Sequence, residues 1–355
     1  MSAELIPLAS AIPPPLRERT ALDHYLAPLR PFLADPEVTE LCINQPGEAF
    51  IERRSGWDRT SLPFASFDWC HHFSRLVATF THQRVNAESP LLSAALPTGE
   101  RIQVVLPPAC SAGTVAITIR RSNERVWELS ELSASGLFGR CEIAGQTTNS
   151  TDAALAKQLK AGQWEAFLRA AVKARKNIIV SGATGSGKTT LTKALLLEIP
   201  ADERLITIED AAELKLDGHP NAVQLFYSKD EQGLARVTPK KLLEACLRMR
   251  PDRILLAELR SDEAYYYLRN VNSGHPGSIT SVHASSPMLA FEQLMLLVKE
   301  SPGGRDLSRG DIQELLHQLV DVVVQCSVER QSRTVREIWF TGASTPSAQL
   351  RRTGK

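Results

Sequence analysis

Residues 177–190 read NIIVSGATGSGKTT, and this segment specifies the fold of the second half of the chain. An apolar run leads into a glycine-rich loop that ends on Lys188 and Thr189, completing the pattern G-x-x-x-x-G-K-[ST]. The glycines let backbone N–H groups turn towards phosphate oxygens, and the helix that follows directs the positive end of its dipole at them. The stretch therefore predicts a strand, a phosphate-binding loop and a helix in direct succession.

The residues predicted to bind nucleotide are those of the loop and of the helix start. They are Gly182, Ala183, Thr184, Gly185, Ser186, Gly187, Lys188, Thr189 and Thr190. Lys188 is predicted to reach the β- and γ-phosphates, and the Thr189 hydroxyl is predicted to bind Mg²⁺. The alternative is a chance glycine-rich turn, which a strand before the loop and an amphipathic helix after it make a poor explanation.

Three further polar residues come directly after apolar runs that are predicted to be strands. They are Glu209 after residues 204–208, Glu258 after residues 253–257 and His283 after residues 278–282. Strands alternate with helices from Trp164 onwards, which predicts a mainly parallel sheet. Ligands of such sheets bind at the carboxyl ends of the strands, so we expect these side chains to converge on the phosphate-binding loop.

Each of these residues has a predicted role and an alternative. Glu258 is predicted to hold or orient water beside Mg²⁺, and to bind the metal either directly or through that water. The alternative is that Glu258 is a strand-end carboxylate paired with Arg260. Glu209 is predicted to orient the nucleophile or to complete the metal shell, with Asp210 as the competing candidate. His283 is predicted to sense a phosphate through a hydrogen bond, although a lone histidine more often has a structural role.

The chain is predicted to contain two folded domains and a linker. The segments are a flexible N-terminus over residues 1–20, an α+β domain over 21–129, a linker over 130–160, an α/β domain over 161–343 and a flexible tail over 344–355. The first domain is predicted from a hairpin around Pro46–Gly47, a helical stripe over Phe67–Phe80 and a meander of three strands between residues 91 and 120. The linker is predicted because its sequence is rich in Ser, Thr, Gly and Ala with little apolar periodicity.

Composition excludes several classes of protein. Of the 355 residues, 41 are Lys or Arg and 40 are Asp or Glu, so the net charge of +1 argues against a surface built to neutralise nucleic acid. Six cysteines without a C-x-x-C pair indicate reduced, buried thiols of a cytosolic protein. The N-terminal residues lack the pattern of a secretory signal, and no apolar stretch is long enough to span a bilayer. The sequence therefore predicts a cytoplasmic protein whose membrane contact, if it has any, is peripheral.

Four motifs in this order resemble those of the traffic ATPases of bacterial type IV secretion and conjugation, within the type II/IV secretion ATPase superfamily. They are GATGSGKTT (182–190), LITIEDAAEL (205–214), LRMRPDRILLAELR (247–260) and SGHPGSITSVHA (273–284). The first half resembles the family at LADPEVTELCINQPGEAFIE (33–52), LPTGERIQVVLPP (96–108) and TVAITIRR (114–121). Ala257 replaces the usual glycine before Glu258. Only Cys326 follows the last motif, which favours the type IV branch over type II motors that carry a four-cysteine metal element there.

The resemblance implies properties that the residues alone do not establish. It implies a RecA-like second domain, hexameric rings, ATP and Mg²⁺ as ligands, and nucleotide bound between the two domains. It also implies that Arg101 and Arg120 close over the phosphates, with Arg121 as the alternative register for the second arginine. The implied partners are other copies of the chain and the inner-membrane and cytoplasmic components of a secretion machine, at the cytoplasmic face of the inner membrane.

The predicted function is that of an ATP-hydrolysing motor that powers pilus assembly or the transfer of protein or DNA–protein substrates, by domain rocking within a ring. Two alternatives stay open. One is a nucleotide-gated scaffold with little turnover, because intact motifs do not set a rate. The other is a RecA-like nucleic-acid translocase, which the balanced charge and the lack of interleaved basic and aromatic residues disfavour.

Overall fold

A computed structural model describes residues 16–121, 126–139, 141, 150–228, 233–330 and 332–343. The chain divides into two compact units, Met1–Ser122 and Asn123–Lys355, here called unit 1 and unit 2. The division comes a few residues before the predicted end of the first domain at 129. Most of the predicted flexible N-terminus and all of the predicted tail lie outside the described residues, although a helix begins at Leu16.

Unit 1 is built on a six-stranded antiparallel sheet with the strand order β3-β2-β1-β6-β5-β4. Its strands are β1 Glu40–Ile43, β2 Glu48–Arg53, β3 Gly56–Ser61, β4 Leu91–Ala95, β5 Arg101–Val105 and β6 Ala116–Arg120. Its helices are α1 Leu16–Leu26, α2 Arg30–Ala34 and α3 Phe67–Phe80. The predicted hairpin is confirmed by the pairing of β1 with β2, and the predicted meander by the pairing of β4, β5 and β6.

Helix α3 shows why the sequence specifies these elements. Its start is capped by the Ser66 hydroxyl, which accepts a hydrogen bond from the backbone N–H of Trp69 at 3.1 Å. Its apolar stripe buries Cys70, Phe73 and Val77 in the core of unit 1. The sequence predicted this helix with the same bounds from its apolar periodicity, and the cap at Ser66 agrees with that start.

Unit 2 alternates strands and helices. Its strands are β7 Ile178–Ser181, β8 Leu205–Glu209, β9 Ala222–Phe226, β10 Arg253–Leu256, β11 Ile279–Val282, β12 Val322–Glu329 and β13 Ser332–Phe340. Its helices are α4 Leu129–Ala134, α5 Ser150–Lys160, α6 Trp164–Lys173, α7 Lys188–Leu196, α8 Pro239–Cys246, α9 Glu263–Asn272, α10 Pro287–Glu300 and α11 Arg309–Leu319. The sequence did not predict β9 or α11.

The strands of unit 2 form two ladders, β10-β8-β9 and β11-β7-β12-β13, in which every pairing except that of β12 with β13 is parallel. Side-chain hydrogen bonds join the ladders, because the hydroxyls of Ser278 and Ser281 donate to the carbonyl oxygens of Ile254 and Ala257 at 2.9 and 3.0 Å. The predicted mainly parallel sheet is therefore confirmed, and the carboxyl ends of β7, β8, β10 and β11 lie at one edge.

The segment predicted as a linker contains two helices. In α4 none of the side chains is buried. In α5, by contrast, Leu155 is 1% exposed and belongs to the core of unit 2 together with Phe167 of α6. The prediction is therefore wrong for α5, since one well-placed leucine gives even a polar, alanine-rich helix a face to bury. Residues 140 and 142–149 of the segment lie outside the described residues.

The structure also bears on two chain-wide expectations. Cys42, Cys70, Cys110, Cys246 and Cys326 are buried free thiols, as predicted, whereas Cys141 is exposed. Among the described residues, none of the helices combines the length and the apolar character needed to span a membrane.

Candidate functional site

The loop between β7 and α7 has the conformation that the glycine pattern predicts. Gly187 caps α7 with φ +94°, in the left-handed region where a side chain is strained. At Gly182 the limit is space, since a Cβ there would lie 2.7 Å from the carbonyl oxygen of Cys326 on β12. The glycines are therefore required by the backbone itself, and the loop leads directly into the N-terminus of α7.

Lys188 is the first residue of α7 and is only 8% exposed. Its ammonium donates hydrogen bonds to the carbonyl oxygens of Gly182 and Ala183, at 2.8 and 3.2 Å, and lies 3.3 Å from Nδ1 of His283. Burial lowers the pKa of this ammonium, and the nearby Glu258 carboxylate opposes the shift. The cation is thus held inside the loop, where phosphate oxygens could replace the carbonyl oxygens as its partners.

His283 joins Lys188 to Glu258. Donation from the lysine ammonium to Nδ1 corresponds to the imidazole tautomer that carries its hydrogen on Nε2. That Nε2 lies 2.6 Å from Oε1 of Glu258, and the other carboxylate oxygen of Glu258 accepts a hydrogen bond from Arg260. The ion pair with Arg260, which was the alternative explanation of Glu258, is therefore present together with the predicted convergence.

These groups line a cavity of about 170 Å³ beside the loop. Its lining residues are Thr184, Gly185, Lys188, Thr189, Thr192, Glu213, Leu214, Ala257, Glu258, Arg260, Ser281 and His283. A nucleotide-bound Mg²⁺ needs one or two protein oxygen ligands, its other positions being filled by phosphates and water. The Thr189 hydroxyl and the Glu258 carboxylate meet that need, so the residues present fit the ion. Within the described part of the chain there is no cluster of three or more His, Cys, Asp or Glu residues that would hold a metal by itself.

Glu209 does not line this cavity. It is 1% exposed, and its carboxylate accepts hydrogen bonds from the Thr207 hydroxyl at 2.6 Å and from the Gln224 amide at 3.0 Å. Its second oxygen accepts from the backbone N–H groups of Glu213 and Leu214, both at 2.9 Å. The carboxylate therefore anchors the loop after β8, and that loop brings the exposed side chain of Glu213 to the cavity.

Asp210, the competing candidate for the role of Glu209, does not line the cavity. Asp210 is partly buried and accepts a hydrogen bond from Arg260 at 3.5 Å. His275, whose pKa is lowered by burial, does not line the cavity. The structure thus groups Lys188, Glu258 and His283 around the cavity and keeps Asp210 and His275 outside it.

Arg101 and Arg120 belong to unit 1. They stand directly opposite each other on β5 and β6, and both are exposed. Arg120 also lies 3.5 Å from the buried carboxylate of Glu40 on β1. Arg121 follows the end of β6, and its backbone N–H donates to Thr39. Of the two registers that the sequence left open, the cross-strand pairing makes Arg120 the neighbour of Arg101.

Sequence reasoning missed several residues of the site. Glu213 lies within the motif at residues 205–214 but has no predicted role, and Arg260 is predicted only as the alternative ion-pair partner of Glu258. Arg333 of β13 was not considered, although its Cδ would lie 3.1 Å from a Cβ on Gly187. Glu213 could have been found from its place in the motif, whereas nothing in the sequence around Arg333 indicates that it contacts the loop.

Comparison with known proteins gives a consistent family assignment. The family model "Type II/IV secretion system protein" matches residues 23–353. The chain is 47% identical over 326 residues to the type IV secretion system protein VirB11 of Bartonella quintana, with 89% of this chain and 91% of the relative covered. It is 41% identical over 328 residues to the type IV secretion system protein PtlH of Bordetella pertussis, with 91% and 96% covered. It is also similar to the solved structure of the VirB11 ATPase from the Brucella suis type IV secretion system in complex with sulphate. The TM-score is 0.87 and the identity 43%, with 92% of this chain and 97% of the chain in that structure covered.

Proposed function

Because the chain belongs to the type II/IV secretion system protein family, we propose that it is a Mg²⁺-dependent ATP hydrolase that acts as a motor of a type IV secretion machine. The likeness to the Brucella suis structure confirms the predicted fold class, a smaller α+β domain followed by a RecA-like α/β domain. The family membership makes the chain a secretion-system ATPase. The reaction, the metal, the assembly and the work output are the proposal.

The observation that carries the proposal is the chain of contacts from Lys188 through His283 to Glu258 in one cavity beside a phosphate-binding loop. A loop that only held nucleotide would need the lysine and the backbone N–H groups. The additional carboxylate and imidazole are groups that orient water and report on a terminal phosphate. Their connection to the lysine links phosphate binding to the position of the carboxylate.

In the proposed reaction a water oxygen bonds to the γ-phosphorus, the bond from that phosphorus to the β–γ bridging oxygen breaks, and a proton is released from the water. Lys188 and the backbone N–H groups of residues 185–190 hold the phosphate oxygens and offset the charge that develops on them. Glu258 orients the water, and His283 keeps the Glu258 carboxylate in place while it is joined to Lys188. The Thr189 hydroxyl and Glu258, the latter directly or through water, would hold Mg²⁺, which would supply further charge stabilisation when bound.

We assign Glu209 an indirect role. All four of its hydrogen bonds go to the protein, which leaves its carboxylate poorly placed to activate water. Its contacts with the backbone of Glu213 and Leu214 support a role in fixing the loop that carries Glu213 to the cavity. The earlier expectation of direct contact with the nucleophile or the metal thus becomes a proposal that Glu209 is a positioning residue.

Arg101 and Arg120 are proposed to bind the phosphates of the nucleotide, as the resemblance implies. The support within unit 1 is electrostatic, because two like charges directly opposite each other on neighbouring strands are unfavourable. An anion recruited to the pair would relieve that repulsion in addition to Glu40, whose carboxylate lies 3.5 Å from Nε of Arg120. Closure of these arginines on the γ-phosphate would couple hydrolysis to a rigid-body domain movement.

The assembly and its place in the cell are also proposals. We propose a homo-hexameric ring at the cytoplasmic face of the inner membrane, bound peripherally to membrane and cytoplasmic components of the secretion machine. The support is the identity of more than 40% to type IV secretion proteins over most of the chain. The ring would power pilus assembly or the transfer of protein or DNA–protein substrates.

The experiment that tests the proposal measures phosphate release with Mg²⁺-ATP together with the mass of the assembly. K188A should lower turnover about 100-fold or more while the ring persists, because it removes the cation at the terminal phosphates. K193A provides the matched control, since Lys193 lies on the same helix and does not line the cavity. Equal turnover of K188A and the wild type would contradict the proposed site.

The nucleotide-gated scaffold is the second candidate function, and it makes an opposite prediction for one variant. E258Q should abolish secretion if turnover is required and should support secretion if nucleotide binding suffices. The nucleic-acid translocase has no specific structural observation in its favour, and binding of single-stranded DNA at physiological salt would be needed to revive it.

A further inference from the structure

A second cavity adjoins the phosphate-binding loop. It is lined by Gly185, Gly187, Lys188, Thr189, Thr190 and Arg333. The two cavities share Gly185, Lys188 and Thr189, so they meet at the loop. Their chemistry differs, because all the carboxylates and the imidazole lie in the first cavity, and Arg333 is the side chain that distinguishes the second.

Arg333 reaches the loop from a strand that is distant in sequence. Residue 333 pairs with Val328 near the turn of the β12–β13 hairpin. Its side chain runs across Gly187, with Cδ 3.1 Å from the position that a Cβ on that glycine would take. The residue is exposed, and it forms no ion pair with any other residue in the described ranges. A guanidinium is thus held beside the loop by packing of its aliphatic part, and its charged end is available to a ligand.

The direction of the chain through the loop determines which part of a nucleotide lies in the second cavity. Lys188 serves the β- and γ-phosphates and Thr189 serves the metal, so the terminal phosphate belongs to the first cavity with Glu258 and His283. A triphosphate is a linear chain with the nucleoside at its other end. The nucleoside must therefore leave the loop through space outside the first cavity, and the cavity at Thr190 and Arg333 is next to the loop and free of carboxylates.

We propose that Arg333 binds the nucleoside end of ATP, with the guanidinium plane stacked on the base. Arginine stacks on aromatic faces because its planar cation is attracted to the π-system and is weakly hydrated. The stacking would bring the β12–β13 hairpin into contact with bound nucleotide. Gly187 allows this because, without a side chain, it leaves room for the side chain of Arg333. The inference rests on the proposed function to the extent that the loop must bind a nucleotide.

The test compares three ligands, Mg²⁺-ATP, Mg²⁺-ADP and Mg²⁺-tripolyphosphate, by calorimetric titration of the full chain. R333A should weaken the binding of ATP and ADP about tenfold and leave the affinity for tripolyphosphate unchanged within about twofold. R333K should weaken nucleotide binding as well, because lysine keeps the charge and lacks the plane. R336A is the matched control, since Arg336 lies on the same strand, is exposed and does not line either cavity.

Three results would overturn the inference. They are equal ATP affinity of R333A and the wild type, full retention of affinity in R333K, and a loss of tripolyphosphate binding in R333A as large as the loss of ATP binding. The last result would assign Arg333 to the phosphates or to the shape of the loop. A wild-type chain that binds none of the three ligands would instead refute the proposed function, so the two failures are distinguishable.

Discussion

Lys188 holds its ammonium group in a nearly buried position, against two carbonyl oxygens and one imidazole nitrogen. Burial lowers its pKa in the free protein. A bound triphosphate favours the charged form and would raise that pKa again. Between the two values the free lysine is partly neutral and the bound lysine is protonated, so we predict that ATP binding takes up protons at alkaline pH.

Calorimetric titration in buffers of different ionisation enthalpy measures this uptake directly. The apparent binding enthalpy should depend on the buffer at alkaline pH below the ordinary lysine pKa. It should lose that part of the dependence at lower pH, once the ammonium is protonated in both states. A buffer-independent enthalpy at alkaline pH would mean that Lys188 keeps its proton without nucleotide, in conflict with the effect of burial.

Glu209 and Glu258 provide a matched pair of carboxylates at the ends of neighbouring strands. In E209Q the new amide faces donors from Gln224, Glu213 and Leu214, so at least one buried hydrogen bond is lost. We predict that E209Q lowers the free energy of unfolding by about 1–3 kcal/mol. E258Q, whose carboxylate faces the cavity, should change stability much less and should remove turnover.

Denaturant unfolding of the nucleotide-free chain, measured beside steady-state turnover, separates the two roles. If E209Q kept wild-type stability and lost all turnover, Glu209 would act on the reacting atoms directly. The positioning role requires instead that the loss of turnover in E209Q accompany a loosened loop, visible as faster amide exchange at Glu213 and Leu214.

At the residue scale, the predictable part of the site is the part fixed by strand polarity. Lys188, Glu258 and His283 converge because parallel strands end at one edge, and the sequence indicated each strand. The burial of Glu209 was not predictable in the same way. It depends on the hydrogen bond from Gln224 on β9, which pairs with β8. Because the sequence did not predict β9, this contact could not be predicted either.

At the scale of elements, prediction succeeded where a local signal was complete. Helix α8 begins after Thr238, whose hydroxyl accepts a hydrogen bond from the backbone N–H of Lys241, and proline occupies its first position. Both residues are signals of a helix start that can be read from the sequence. Strand β9 was missed because Gln224 interrupts its short apolar run, so that only Val223 and Leu225 are buried, and because it is an end strand of its ladder. The contact between Arg333 and the loop was out of reach, since it depends on the register of the long β12–β13 hairpin.

The amino-terminal ends of β8 and β10 are held by a buried ion pair. Arg253 is fully buried and binds Glu203 through two hydrogen bonds of 2.7 and 2.9 Å, while also donating to the carbonyl oxygens of Val172 and Gly277. We predict that E203Q lowers the free energy of unfolding by about 3 kcal/mol, because it leaves the buried guanidinium without its counter-charge. Thermal or denaturant unfolding measures the difference.

Unit 2 contains a control with the same geometry on its surface. Arg169 binds Glu198 through two hydrogen bonds of 2.8 and 3.1 Å, with the arginine side chain 46% exposed. E198Q should leave the unfolding midpoint nearly unchanged, since exposed pairs contribute little. A similar effect of the two substitutions would show that burial does not decide the strength of the pair.

The buried ion pair between Arg253 and Glu203 also makes the free energy of unfolding depend on pH, with a definite sign. Burial works against ionisation of Glu203, yet hydrogen bonds and charge from Arg253, with a contribution from Arg175, hold its pKa below the ordinary value. Its stabilisation is therefore present above the pKa of the unfolded chain and is lost as the pH falls through the folded value. The stability gap between the wild type and E203Q should accordingly narrow in acid.

At the scale of the whole molecule, each unit has a hydrophobic core of its own. One core cluster contains Phe73 and Ile117 with other residues of unit 1, and another contains Phe167 and Val324 with other residues of unit 2. Neither cluster includes a residue from the other unit. Since cooperative unfolding follows the extent of a shared core, the units need not unfold together.

We predict two unfolding transitions in differential scanning calorimetry, and the response of each transition to ligand shows whether that unit contributes to nucleotide binding. The phosphate-binding loop lies in unit 2, so Mg²⁺ with a non-hydrolysable ATP analogue should raise the transition of unit 2 by mass action. E203Q should lower that transition, whereas F73A, which removes a fully buried ring from the other core, should lower the transition of unit 1.

A ligand-induced rise of both transitions would show that nucleotide also binds to unit 1, as the proposed role of Arg101 and Arg120 requires. Loss of that second rise in an R101A/R120A variant would then assign the coupling to those arginines, and a single transition that every variant shifts equally would mean that the two cores unfold as one.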